Sequence, residues 1–139
     1  MTLSSHDFSS VPEITPNQFI LDESREQLTY PRFILFYAPW CPACHARFPQ
    51  IQRIHTYLSF IEPKYRPFTI VRCNIDQYPE LGKQYSIQRF PTFGWMNRSG
   101  MVQLFPSSIH ITQFIEDELD KMNQSLGTLY KMTLSLDTV

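Results

Sequence analysis

Glycine is scarce in this chain, with four among 139 residues. A phosphate cradle needs several glycines in register so that backbone N–H groups can approach the anion. Neither glycine-rich nucleotide-binding pattern occurs, which excludes that class. Charge of one sign is lacking as well: 12 Lys and Arg stand against 13 Asp and Glu, a net charge of −1. That balance excludes a strongly basic nucleic-acid binder and an acidic tail protein. Long apolar runs are missing. The longest, Phe33 to Ala38, has six residues, where a membrane-spanning helix needs about 20, so no membrane segment is expected. The first thirteen residues hold four serines and no apolar stretch, unlike a secretory leader, and the last four, Leu136 to Val139, are not an ER-retention signal. The expected setting is cytoplasmic, or the ER lumen if a leader has been removed. Cysteine is both sparse and odd in number, with Cys41, Cys44 and Cys73, which argues against a disulfide framework.

What is present suits one globular domain. Apolar residues make up 42% and charged residues 18%, and this length buries a core without covalent staples. Two of the cysteines form Cys41-Pro42-Ala43-Cys44. Such a pair serves either zinc binding or redox chemistry. A structural zinc site needs four ligands and usually shows a second pair at similar spacing. No second pair exists, and His45, His55 and Cys73 have no finger-like spacing. A redox pair is favoured on the missing ligands, with a zinc site or an inert pair left open, and no metal is expected.

The surroundings of the pair are ordered. Residues 1–13 read as a flexible arm, 14–122 as the domain, and 123–139 as an extension or tail. Asn17 to Tyr30 is a candidate first helix. Arg32 to Tyr37 is a continuous apolar run bounded by prolines, expected to be a strand buried on both faces. After the cysteines the period changes: Phe48, Ile51, Ile54 and Leu58 mark one face of a helix. Pro42 suits its first turn, and Pro49 lies inside it. A second strand over 68–74, a short helix over 78–85, strands over 93–96 and 101–105 around the turn Asn97-Arg98-Ser99-Gly100, and a last helix capped by Ser107 or Ser108 complete an α/β plan with a mixed sheet.

Phe36-Tyr37-Ala38-Pro39-Trp40-Cys41-Pro42-Ala43-Cys44 resembles the active-site segment of the thioredoxin family. It is most similar to the protein disulfide isomerase-like branch and to membrane-bound thioredoxin-related domains with a Cys-Pro-Ala-Cys centre. Pro49, the segment Asn74-Ile75-Asp76-Gln77-Tyr78-Pro79 and the segment Arg89-Phe90-Pro91-Thr92 match further family motifs in order, over roughly residues 14–122. The resemblance implies a thioredoxin fold, a central mixed β-sheet flanked by helices. It implies a monomeric thiol–disulfide oxidoreductase working through Cys41 and Cys44, without an organic cofactor, on protein thiols or disulfides, together with a redox recycling partner. Pro91 is implied to be cis, exposing the Phe90 backbone to an extended substrate and keeping a metal out of the dithiol. Trp40, Phe90 and Pro91 would then bind substrate.

Two departures from the family pattern stand out. Leu35 occupies the position of a buried carboxylate, removing the usual proton relay for the second cysteine. Arg72 replaces a lysine and is expected, without that carboxylate, to lean toward solvent or toward the thiolate. Cys41 begins a helix, and a helix N-terminus lowers thiol pKa values from about 8.5 into the range ~3.5–7.5. It is the expected nucleophile. Cys44, one turn further, is the expected resolving thiol. His45 either tunes the thiolate by its charge or is a bystander. Cys73 is expected to be a small buried hydrophobe. The sequons at Asn97 and Asn123 and a docking peptide at the C-terminal Asp137-Thr138-Val139 carry no weight by themselves. The competing reading is a redox-inactive, chaperone-like binding module on the same fold.

Overall fold

A computed structural model describes residues 8–23, 28 and 30–122. Its elements in chain order are a 3-10 turn over Phe8–Ser10, α1 over Pro16–Glu23, β1 over Arg32–Tyr37, and α2 over Pro42–Ser59. They continue with a 3-10 turn over Pro63–Tyr65, β2 over Thr69–Asn74, α3 over Pro79–Gln84, β3 over Thr92–Met96, β4 over Val102–Phe105 and α4 over Ile111–Met122. The four strands form one sheet in the order β2-β1-β3-β4. β1 runs parallel to β2 and antiparallel to β3, and β3 runs antiparallel to β4. The sheet is therefore mixed, as expected.

β1 is buried on both faces because its side chains alternate between two apolar clusters. Phe33, Leu35 and Tyr37 join Phe48, Ile51, Ile54 and Leu58 of α2 and Ile111 and Ile115 of α4. Ile34 and Phe36 join Phe19 of α1 and Leu81 of α3 on the other face. Helices thus cover both sides of the sheet, and β1, central and dry, ends directly at the cysteine segment. α2 continues through Pro49 for 18 residues. On β3, Gly94 keeps the sheet closed: a Cβ there would lie 2.8 Å from the Phe36 ring. Gly100 has φ 87° in the β3–β4 turn, the left-handed conformation that favours glycine. Asn97 Oδ1 accepts the Ser99 and Met101 N–H groups there.

Two expectations change. Residues 1–7 of the expected arm and the whole 123–139 extension, with Asn123 and the C-terminal tripeptide, lie outside the described residues. The rest of the arm is part of the domain: Phe8 and Val11 are buried in the cluster that holds the cysteines. The backbone of residues 12–14 pairs with β2, with Arg72 N–H donating to the Pro12 carbonyl at 2.9 Å and Ile14 N–H to the Arg72 carbonyl at 2.8 Å. The hydroxyl-rich start of this segment hid two apolar side chains at a spacing of three. The cap of α4 also differs. His110 Nδ1 accepts the Gln113 N–H at 3.2 Å, so His110, not Ser107 or Ser108, closes that helix. The Ser107 carbonyl instead accepts from Arg47.

Candidate functional site

Cys41 stands at the junction of β1 and α2. Its backbone is extended (φ −80°, ψ 113°), and its Sγ accepts the Cys44 N–H at 3.2 Å, filling the N-cap position of α2. A cap side chain takes an orphan donor of the first turn, and here that side chain is a thiol. The same sulfur donates to the Phe90 carbonyl at 3.7 Å across a separation of 49 residues. The Phe90–Pro91 bond is cis, and Pro91 is buried, so the expected loop geometry places the Phe90 backbone on the thiol. Both cysteines are free. Cys41 is 5% exposed and Cys44 fully buried, which makes Cys41 the outer of the two.

Burial pushes the Cys44 thiol up to about 12, reinforced by its hydrogen bond with Cys41. Position 35 offers no carboxylate to help it lose its proton. Leu35 lies in the cluster that contains both cysteines, with none of its surface exposed. Cys73 is buried on the opposite face of the sheet, and its thiol is also pushed up to about 12, by burial first and then by the charges of Glu13 and Glu80. The structure does not bring Cys73 to the Cys41–Cys44 pair. Among the described residues no three His, Cys, Asp or Glu side chains converge as metal ligands would.

Around the pair, Trp40 is 63% exposed. Its ring meets Phe90 edge-on at 6.0 Å, and its Nε1 donates to Asp76 Oδ1 at 3.2 Å. That bond fixes an exposed indole beside the thiol, and the sequence offered no signal for it because the partners are 36 residues apart. His45 Nε2 donates to the Pro39 carbonyl at 2.7 Å, and its ring lies 4.7 Å from Phe8. His45 therefore ties α2 to the loop that leads into Cys41.

Arg72 corrects an expectation. It leans neither to solvent nor to the thiols: Nη1 donates to Glu13 Oε1 at 2.6 Å and to the Tyr37 hydroxyl, and Nε donates to the Val11 carbonyl at 2.7 Å. The reason lies in the N-terminal segment. Its pairing with β2 brings Glu13 directly beside Arg72, so a carboxylate distant in sequence supplies the ion pair that Leu35 cannot. Burial raises the Tyr37 hydroxyl above its ordinary pKa, with Arg72 opposing.

Comparison with known proteins agrees with this geometry. Residues 14–117 match the thioredoxin family model. A protein disulfide isomerase-like 5-3 of Oryza sativa is 35% identical over 60 residues, 43% of this chain and 13% of that protein. The human DnaJ homolog subfamily C member 10 is 30% identical over 129 residues, 91% of this chain and 14% of that protein. The chain thus spans about one seventh of the length of each of these relatives. Mitochondrial thioredoxin 3 of Saccharomyces cerevisiae, in its oxidized form, superimposes with a TM-score of 0.54 at 20% identity, over 71% of this chain and 85% of that one.

Proposed function

The chain belongs to the thioredoxin family, and from that membership we propose that it exchanges disulfides with protein substrates through Cys41 and Cys44. The observation that carries this reading is the position of the Cys41 sulfur: outermost of the pair, at the cap of α2, and against the Phe90 carbonyl.

The exchange balances without a cofactor. The Cys41 thiolate attacks one sulfur of a substrate disulfide, forming a mixed disulfide and releasing the other substrate sulfur as a thiolate. Cys44 then loses its proton and attacks the Cys41 sulfur. The Cys41–Cys44 disulfide forms, and the remaining substrate thiolate leaves and takes up a proton. Two electrons have passed to the substrate, and a dithiol partner must return them. Run backwards, the same steps oxidise a substrate dithiol. Direction follows the potential of the pair against its surroundings. Trp40 and Phe90 offer an apolar wall beside the thiol, and the edge of the cis-proline loop suits strand-like pairing with an extended substrate segment. Helix α2 supports the attack by presenting N–H donors to the capping sulfur.

The test separates the two thiols. Cys44→Ser is expected to accumulate mixed disulfides with a scrambled protein substrate on non-reducing electrophoresis, and Cys41→Ser to accumulate none. Equal trapping by both variants overturns the assignment of roles. If wild-type Cys41 and Cys44 never close into a disulfide under oxidising glutathione buffers, the enzyme reading fails and a redox-inactive binding module replaces it.

A further inference from the structure

A groove continues from the dithiol along the same end of the sheet. Thr92, which opens β3, pairs with Phe36 near the end of β1, and Phe105, which closes β4, pairs with Phe93. Both therefore lie at the end of the sheet from which β1 runs into Cys41. A depression of about 420 Å³ lies there, lined by Arg89 and Thr92 of the cis-proline loop, by Phe105, and by Pro106, Ser107 and Ser108 of the loop before α4.

Its walls are held in place. Thr92 Oγ1 donates to the Arg89 carbonyl at 2.7 Å, which fixes the backbone around Phe90. Arg47, three residues after Cys44 on α2, donates to the Ser107 and Ile109 carbonyls at 2.5 and 3.0 Å. The Arg47 fork is thereby spent on main chain. Arg89 is different: it is exposed, and among the described residues nothing pairs with its guanidinium. It is the one charged residue of the groove lining, which includes no Asp or Glu. It is also close to the chemistry. The Phe90 carbonyl lies 3.7 Å from Cys41 Sγ, and consecutive Cα atoms are about 3.8 Å apart, so the Arg89 Cα lies within roughly 10 Å of that sulfur. An extended substrate covers that distance in about three residues. The net charge of the chain, −1, gives an acidic partner no long-range advantage, so a preference for acid has to come from this guanidinium.

We propose that Arg89 selects protein substrates carrying an Asp or Glu within about three residues of the cysteine that Cys41 attacks; the inference rests on the exchange reading above. A guanidinium meets a carboxylate through two parallel N–H···O bonds. The substrate segment that pairs with the cis-proline loop brings its acidic side chain to Arg89, and the contact acts on encounter and binding rather than on the thiols.

Reduced wild-type protein is mixed with three peptides, each closed by one intrachain disulfide. They are alike except that the residues two positions from each cysteine are Asp, Ala or Lys. Each second-order reduction rate is divided by that of the same peptide with 2-mercaptoethanol, which removes the effect of the flanking charge on the disulfide itself. At low ionic strength the Asp peptide is expected to react about threefold faster than the Ala peptide and about tenfold faster than the Lys peptide, and the differences shrink in about 1 M salt. Arg89→Ala is expected to level the three rates and Arg89→Glu to reverse their order, whereas a residue that only shapes the loop would change all three alike. Equal normalised rates in wild type, or an unchanged order in a folded Arg89→Ala, overturn the proposal and leave the exchange reading standing. No reaction with any of the three peptides overturns the exchange reading, and this inference with it. The first comparison is made on wild-type protein, so it decides the matter even where a variant fails to fold.

Discussion

At the scale of single residues, the position of Leu35 governs the second half of the exchange. The Cys44 thiol is pushed up to about 12, so at neutral pH it is protonated almost completely, and it must shed that proton before it attacks. The side chain at 35, buried in the dithiol cluster, is apolar and cannot take it. Release of a Cys41 mixed disulfide is therefore expected to be slow at pH 7 and to quicken about tenfold per pH unit into the alkaline range. Stopped-flow release rates between pH 6 and 9 check this, and a pH-independent rate would contradict it. Leu35→Asp is expected to speed release at pH 7 and to cost about 2–4 kcal/mol of stability, since it buries a carboxyl without a partner. Unchanged release in a folded Leu35→Asp would show that position 35 does not reach the thiols. The Glu13–Arg72 pair belongs to the same scale. Its side chains are only 26% and 15% exposed, so Glu13→Gln is expected to destabilise the domain by about 1–3 kcal/mol in urea unfolding. The missing acid at Leu35 is legible only against the pattern of the family that the sequence resembles. The sequence hid the replacement, because Glu13 and Arg72 are 59 residues apart and meet only through strand-like pairing of a segment with no strand pattern of its own.

At the scale of elements, the most legible parts were those whose period matched their burial. β1 reads as a two-sided strand and is one. The α2 stripe of Phe48, Ile51, Ile54 and Leu58 is the buried face of that helix. The cis-proline loop was legible only through its resemblance to the family, because a cis bond leaves no mark in composition. The segment before residue 14 carries no such pattern. Phe8 lies against Tyr37, His45 and Phe48 with ring centroids 4.6–4.7 Å apart, so this short turn closes the back of the active-site helix. One aromatic among serines carries no periodicity, and only the partners reveal its role. Phe8→Ala is expected to lower stability by about 3 kcal/mol, the usual cost of emptying a buried aromatic site, whereas a flexible arm would show less than 0.5 kcal/mol. Urea unfolding at pH 7 separates the two outcomes.

At the scale of the whole molecule, the sheet divides its three thiols between two dry faces, Cys41 and Cys44 on one and Cys73 on the other, and the consequence is an alkaline limit to stability. Cys44 and Cys73 are each raised from about 9 to about 12, and Tyr37 is raised above 10. A group whose pKa is raised by folding holds its proton longer in the native state than in the unfolded chain. Its stabilising contribution is complete below the unfolded value and is lost as pH climbs through the folded one. The window thus opens near pH 9 and closes near pH 12. Within it each buried thiol is expected to remove about 1.4 kcal/mol of stability per pH unit, with Tyr37 joining above pH 10. Denaturant unfolding at pH 8, 9, 10 and 11, under nitrogen with a non-thiol reductant, measures this slope. Cys73→Ala takes away one titrating group on the face opposite the dithiol, so its unfolding free energy should fall less steeply by about 1.4 kcal/mol per unit while its exchange activity stays intact. Parallel slopes for wild type and Cys73→Ala would mean that Cys73 ionises in the native protein as readily as in the unfolded chain, which is incompatible with its dry position on β2.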